Sequence, residues 1–389
     1  MPMNSFDFVN PVRIVFGKGQ IAKLATYIPE GKKVLVTYGG GSIKRNGVYD
    51  QVMTALKDHE VKEFGGIESN PDYDTLMKAV AILKEMGTEE TVILSVGGGS
   101  VADGSKFIAA AAVYKHSENT WEILETGAKY VKESVPLYVV ITLPATGSEM
   151  NNTAVISYRA KNLKLAFATD IVYPVVSILD PETTLSLPTN QTANGVVDSI
   201  VHVLEQYCTY PMDAEVQDRY AEGLLITLIE SGKKVMENPK DLNARANIMW
   251  AATQALNKWI AQGVVEDWAT HMIGHELTAS IGLAHAETLP RVFAFNFESK
   301  KAKLAQMAER VFNVTEGDVD AKAKKCMELL FDFYENTMKV PTRISKYSCS
   351  QDKAWIDRVC ERFTEQGVKL GELGNILPEN VKQIILDSY

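Results

Sequence analysis

The sequence predicts a parallel α/β domain followed by an all-α domain. Three observations carry this. The first half alternates short β-branched runs with amphipathic stretches. The second half has helical periodicity and few strand-like runs. A turn-rich seam, SLPTNQTANG, lies between them. The expected division is 1–186 for the α/β part and 187–389 for the helical part.

In the first part RIVFG, KKVLVTYGG, ETVILSVGGG, LYVVITLPATG and VVSILDP each contain an apolar run that ends in Gly or Pro. YDQVMTALKDH and YDTLMKAVAILKEMG lie between some of them and place apolar residues at helical spacing. Strand, helix, strand at this rhythm argues for a parallel sheet covered by helices. In the second part ANGVVDSIVHVLEQYC, DRYAEGLLITLIESGKKVM, ANIMWAATQALNKWI and CMELLFDFYENTM read as helices.

Composition narrows the class. The chain has 389 residues, 46% hydrophobic and 23% charged, with a net charge of −9. That acidity argues against nucleic acid or an anionic membrane as a partner and favours small molecules. The start, MPMNSFDFVN, has neither a basic segment nor an apolar run, so a cytoplasmic location is expected. No stretch approaches the roughly 18 apolar residues of a membrane span. The four cysteines, Cys208, Cys326, Cys349 and Cys360, are scattered and read as thiols in a reducing compartment.

Two glycine-rich loops point to a dinucleotide. In ILSVGGGSVADGSK a buried strand, Val92 to Val96, runs into Gly97, Gly98, Gly99 and Ser100, and a helix follows with Asp103 and Lys106 in its early turns. Glycines let the backbone approach a diphosphate, and helix N-terminal amides point at the anion. A plain strand-to-helix turn needs only one glycine. The G-x-G-x-x-G fingerprint is absent. The second loop, VLVTYGGGSIKRNG, carries Gly39, Gly40, Gly41 and Ser42, then Lys44 and Arg45. No carboxylate sits at this strand end, which suits the 2′-phosphate of NADP(H) better than the ribose hydroxyls of NAD. A solvated helix face is the other reading of the two cations. A third run, ITLPATGSEMNN, supplies Thr142, Thr146, Ser148 and Asn151 at a strand's carboxyl end, where α/β sheets bind ligands.

Four of the six histidines fall in the second part: His202, His271, His275 and His285. Asp198 and His202 are spaced i, i+4, as are His271 and His275, so each pair shares a helix face. Such a pair can be no more than a helix-surface hydrogen bond. Two pairs with a further His nearby, all among apolar neighbours, favour a metal cage. One carboxylate with imidazoles suits Fe²⁺ or Zn²⁺.

Together these residues resemble the iron-containing (group III) alcohol dehydrogenases over nearly the whole chain. The G-G-G-S-x-x-D-x-x-K loop, the T-x-x-A-T-G-S-E run and the Asp-x3-His, His-x3-His, then His spacing all match. TYGGGS, FGGIESNP, ANGVVD, MWAATQALN and DWATHM with GHELTA are similar to the branch of NADPH-dependent butanol dehydrogenases and broad-range aldehyde reductases. The resemblance implies a Rossmann-like sheet domain and a helical domain in a dehydroquinate synthase-like fold, commonly as a homodimer. It implies Asp198, His202, His271 and His285 as metal ligands, with His275 beside the nicotinamide rather than on the metal; His275 is the candidate catalytic residue, with ordered water and the cofactor ribose as other routes for the proton. It places Gly97, Gly98, Gly99 and Ser100 at the diphosphate with Asp103 close by, and Gly40 and Ser42 at the adenosine ribose. Thr142 and Ser148 fall near the nicotinamide, and Lys164 reaches the cofactor ribose. One departure stands out: HAETLPRVFAFN reaches Pro290 about one helical turn earlier than the branch does.

The expected activity is hydride transfer between NADP(H) and short- to medium-chain alcohols or aldehydes of the butanol/butanal type, with the metal as Lewis acid. Asn151, Phe167 and Trp268 are candidate substrate contacts, with core packing as the ordinary role of each aromatic. Competing readings are an NAD-linked polyol or glycerol dehydrogenase or a dehydroquinate-synthase-like lyase of the same fold, or a non-catalytic nucleotide- or metal-binding protein. A polyol dehydrogenase should carry an acid at the adenosine-ribose loop. A lyase should carry a basic cluster near the metal, and none surrounds Asp198 to His285.

Overall fold

Runs such as VLV, VIL and VVI can bury both faces only inside a parallel sheet covered by helices. The computed structural model, which describes residues 1–281, 288–347 and 353–389, has that arrangement. Its strands are β1 (Arg13–Phe16), β2 (Lys33–Tyr38), β3 (Val61–Phe64), β4 (Thr91–Gly98), β5 (Leu137–Leu143), β6 (Thr153–Tyr158), β7 (Leu163–Ala168) and β8 (Val176–Leu179). Five helices accompany them: α1 (Leu24–Tyr27), α2 (Val48–Ala55), α3 (Tyr73–Met86), α4 (Gly99–Ala111) and α5 (Glu122–Glu125). The rest of the chain adds α6 (Thr189–Tyr207), α7 (Glu215–Glu237), α8 (Leu242–Ala255), α9 (Ala269–Ile281) and α10 (Leu289–Phe295). It ends with α11 (Phe297–Arg310), α12 (Val319–Asp332), α13 (Trp355–Glu365) and α14 (Pro378–Asp387). Among the described residues no helix is long and apolar enough to cross a membrane.

Two compact units result. The sheet unit comprises Val9–Pro188 and Lys240–Asn257. The helical unit comprises Met1–Phe8, Thr189–Pro239 and Lys258–Tyr389. They differ from a single cut after residue 186 because α8 packs within the sheet unit. Its Met249 is fully buried in the sheet core. Its Thr253 hydroxyl donates to the buried Glu149 carboxylate at 2.5 Å.

The main sheet has six strands in the order β1-β8-β5-β4-β2-β3, and every pairing is parallel. The chain leaves β2 for the edge strand β3, then returns to the other side of β2 as β4. The connection therefore reverses direction between β2 and β4, and this switch point is where open α/β sheets bind ligands. The register of β4 against β5 shifts between Gly97 and Gly98, where the glycine loop begins.

The alternation of strand side chains builds a core on each face. Val34, Val36, Leu94 and Val140 face Ile21, Leu24, Val52 and Leu56. Leu35, Ile93, Val139 and Ile141 face Leu76, Leu83, Phe107 and Ile108 of α3 and α4. All five expected strands are present. Strand β3 and the antiparallel β6–β7 hairpin have no counterpart in the sequence reading. The run VKEF of β3 is half charged and lies at the sheet edge, so it lacks a hydrophobic signature.

Phe107 is fully buried and meets Tyr73 edge-on at 5.7 Å between ring centroids. Phe107→Ala should cost about 3–5 kcal/mol of stability, read as a lower urea midpoint for the sheet unit.

Candidate active site

In the sheet unit, three loops leave the carboxyl ends of the neighbouring strands β2, β4 and β5. Gly39, Gly40 and Gly41 follow β2, and Ser42 opens a 3₁₀ turn. Gly41 has φ +83°, a left-handed conformation that glycine adopts without strain. Gly39 accepts the Gly66 N–H at 3.0 Å. After β4, Gly99 and Ser100 form the first turn of α4. A Cβ on Gly99 would lie 2.1 Å from the Thr146 hydroxyl and 2.8 Å from the Thr146 Cβ. The two loops touch there, and only glycine fits.

Main-chain amides in the first turn of a helix are suited to bind a phosphate group, and α4 starts at this loop. Ser100 Oγ accepts the Asn70 N–H at 3.2 Å. Asn70 Oδ1 in turn accepts from Lys164 Nζ at 2.9 Å. Lys164 on β7 is thereby brought to the glycine loop by a residue far from both in sequence.

Beneath the loops lies a buried polar network. Asp103 accepts from the Ser148 hydroxyl at 2.6 Å and from the Val155 N–H at 3.0 Å. Lys106 Nζ donates to Ser148 Oγ and Asn151 Oδ1, both at 2.9 Å, and to the Thr153 carbonyl at 2.8 Å. Burial pushes the Asp103 carboxyl up, against the pull of the Lys106 charge. The network fixes the 146–153 segment to α4.

The helical unit assembles the second cluster. Asp198 and His202 lie one turn apart on α6, and His271 lies on α9. Their ligand atoms fall within 4.8 Å of one another. Asp198 Oδ2 is 3.9 Å from His202 Nδ1, and Asp198 Oδ1 is 3.8 Å from His271 Nε2. Two ligands each roughly 2.1 Å from a shared ion stand about 3–4 Å apart, so the donor set fits one divalent cation.

Glu205, one helical turn past His202, meets His271 Nδ1 through one carboxylate oxygen. Its other oxygen accepts the His271 main-chain N–H at 3.1 Å. A carboxylate on the remote ring nitrogen fixes the tautomer and orients the ligating one, as in many metal sites. Burial works against a charged His271, yet Glu205 and then Asp198 outweigh it and hold the imidazole up at about 10. Burial pushes the Glu205 carboxyl up as well, against the pull of His271. Trp268 packs beside it, its ring centroid 5.4 Å from that of His271 and 6.4 Å from that of His202.

Both parts of the chain match one family. Residues 11–181 match iron-containing alcohol dehydrogenase, and residues 192–389 match the Fe-containing alcohol dehydrogenase family, C-terminal. The chain belongs to the iron-containing alcohol dehydrogenase family. It is 51% identical to the NADPH-dependent aldehyde reductase YqhD of Escherichia coli strain K12, covering 95% of this chain and 96% of that one. It is 36% identical to the NADH-dependent butanol dehydrogenase B of Clostridium acetobutylicum, covering 98% of each. The crystal structure of E. coli K-12 YqhD superposes with a TM-score of 0.96 at 49% identity over the full length of both chains.

The sequence-predicted residues of this alcohol dehydrogenase divide as follows. Gly39 to Ser42, Gly97 to Ser100, Asp103, Thr142, Thr146, Ser148 and Lys164 gather at one edge of the sheet unit or directly beneath it. Asp198, His202 and His271 converge in the helical unit, and His275 follows one turn later on α9, half-buried. His285, Gly282 and Cys349 lie outside the described residues. Asn151, expected at the substrate, is buried, with its amide donating to the Leu256 and Thr146 carbonyls. Phe167 is likewise buried in the sheet core. Both are engaged in packing, and of the three substrate candidates Trp268 alone stands beside the metal-type cluster. Lys44 is spent on Glu63 at 2.9 Å and lies over the Tyr38 and Tyr49 rings.

Glu205 and Asn70 escaped the sequence reading. Glu205 was accessible to it: Asp198, His202 and Glu205 follow i, i+4, i+7 on one helix face. Asn70 has no periodic signal; the Asn-Pro pair in SNP marks a turn, which the structure builds with Asn70 at φ +56°.

Gly99→Ala should displace Thr146 and lower dinucleotide affinity about tenfold or more, since such overpacking costs about 1–3 kcal/mol; nucleotide fluorescence titration reads this. Glu205→Gln should weaken divalent metal retention by about 10–100-fold, measured by chelator competition.

Proposed function

We propose that this alcohol dehydrogenase works as an NADP(H)-linked, metal-dependent reductase of short- to medium-chain aldehydes such as butanal, and oxidises the corresponding alcohols in reverse. The convergence of Asp198, His202 and His271, oriented by Glu205, is the observation that carries the reading. His285 completes the ligand set in this reading. Fe²⁺ and Zn²⁺ both suit one carboxylate with imidazoles. When bound, the metal supplies Lewis acidity toward the carbonyl oxygen and the cofactor supplies the hydride.

The chain's own residues have separable tasks. The amides of Gly97 to Gly99 and the Ser100 region hold the cofactor diphosphate. Lys164, steadied by Asn70, reaches the ribose. Thr142 and Ser148 line the nicotinamide end, with Asp103 fixing the Ser148 hydroxyl. The main-chain amides of Gly40 and Gly41 and the Ser42 hydroxyl receive the 2′-phosphate. Glu63 is the carboxylate bonded to Tyr38 at the end of β2, and Lys44 neutralises it. That leaves the loop free of an opposing charge. Asp198 and the imidazoles hold the metal, and Glu205 holds the proton on His271 Nδ1 so that Nε2 faces inward. His275 passes a proton from a ring nitrogen to the product oxygen. Trp268 gives an apolar wall beside the histidines and keeps water off the reacting carbonyl. A homodimer in the cytoplasm belongs to the same reading.

NADPH oxidation with butanal should vanish on chelation and return with Fe²⁺ or Zn²⁺, and His271→Ala should lose both metal and turnover. Full turnover by metal-free protein would overturn the scheme. Ser42→Asp should cut kcat/KM for NADPH by about 100-fold relative to NADH, because like charges brought together cost several kcal/mol.

A further inference from the structure

The helical unit buries a lysine that none of these tasks employs. Lys300 on α11 is fully buried. Its ammonium donates to three oxygens: Asp267 Oδ2 at 2.7 Å, the Cys208 carbonyl at 2.8 Å and Glu372 Oε2 at 3.0 Å. Two of these partners stand at the ends of the helices that carry the metal-type cluster. Cys208 is the residue after α6, which holds Asp198, His202 and Glu205. Asp267 precedes α9, which holds His271, and its Oδ1 accepts the Ala269 N–H at 2.8 Å as a cap on the first turn. The Asp267 main-chain N–H also donates to the Glu205 carbonyl at 2.7 Å.

We propose that Lys300 is a positioning residue for the metal ligands: its buried ammonium clamps the end of α6 to the start of α9 and so sets the spacing of Asp198, His202 and His271 around one ion. This rests on the metal-site reading above. A buried ion cluster is a poor source of stability, since apolar replacements of similar volume are often neutral or better. Its geometric effect is specific. Each oxygen of Asp267 has one task, one gripping Lys300 and the other starting α9, so a shift of the ammonium is transmitted to the first turn of the helix that bears His271. Glu372, anchored by the Ser299 hydroxyl at 2.7 Å, fixes the ammonium from a third side.

The test uses full-length protein stripped of metal and titrated with Co²⁺, reading the visible ligand-field band and the affinity by chelator competition. Melting of the metal-free protein is followed in parallel. Lys300→Met and Asp267→Asn should each weaken Co²⁺ binding by about 10–100-fold, the range for partners that orient ligands from behind, and should alter the band. Lys300→Arg should restore much of both. Asp267→Asn keeps an acceptor for the Ala269 N–H, so it carries the test if Lys300→Met does not fold. A folded variant with wild-type affinity and spectrum would overturn the proposal. Failure of both variants to fold would do so too, by assigning the cluster to stability. Wild-type protein that takes up no Co²⁺ would instead overturn the metal site itself.

Discussion

The Glu205–His271 contact sets the terms for the helical unit. A carboxylate that is almost completely buried must have a charged or hydrogen-bonding partner, because its transfer from water is otherwise prohibitive. His271 meets that demand with its ring and its main chain together. With the ring fixed through Nδ1, Nε2 faces Asp198. That carboxylate is then shared between two imidazoles at distances too long for hydrogen bonds and suited to a common cation. The Glu205 and Asp198 carboxylates push the His271 imidazole up against the effect of burial. The surrounding helices hold these groups together, and Lys300 draws the two helix ends toward one point.

The sheet unit meets a different constraint. Its strands are parallel, so their carboxyl ends share one edge, and the reversal between β2 and β4 opens that edge to a ligand. An anion arriving there needs unobstructed amides. That excludes a side chain at Gly99, where Thr146 already fills the space. Loops so poor in side chains have little to hold them, and the network of Asp103, Lys106, Ser148 and Asn151 supplies the rigidity from below. Helix α8 adds to this through Thr253 and Glu149, which accounts for its place in the sheet unit. In the function proposed above, the two sets of residues serve a single chemistry: hydride transfer needs a cofactor held by its phosphates and a carbonyl polarised by a cation.

Much of this was legible along the chain. Val34–Val36, Val92–Val96 and Val139–Ile141 announce buried parallel strands because both faces of each are apolar. The glycine runs that follow them stand out because a plain strand-to-helix turn needs only one glycine. Asp198 with His202 shows a shared helix face through simple spacing, and Glu205, missed in the sequence, lies on the same face a further turn on. The substrate contacts were less legible. Asn151 and Phe167 are polar or aromatic residues near a ligand edge, and nothing in their local pattern distinguishes a pocket wall from a core position.

Local periodicity and residue chemistry sufficed for the fold class and for picking out Asp198, His202 and His271, which the fold brings together, since helix faces, buried strands and glycine loops are written over short stretches. Partnerships between distant segments were another matter. That Asn70 links Ser100 to Lys164, that Lys44 serves Glu63, and that Lys300 reaches Cys208, Asp267 and Glu372 at once follow from how the helices and strands pack. Hydrogen bonds and buried charges are satisfied by whatever lies within about 3 Å in space, and sequence spacing carries no record of that distance.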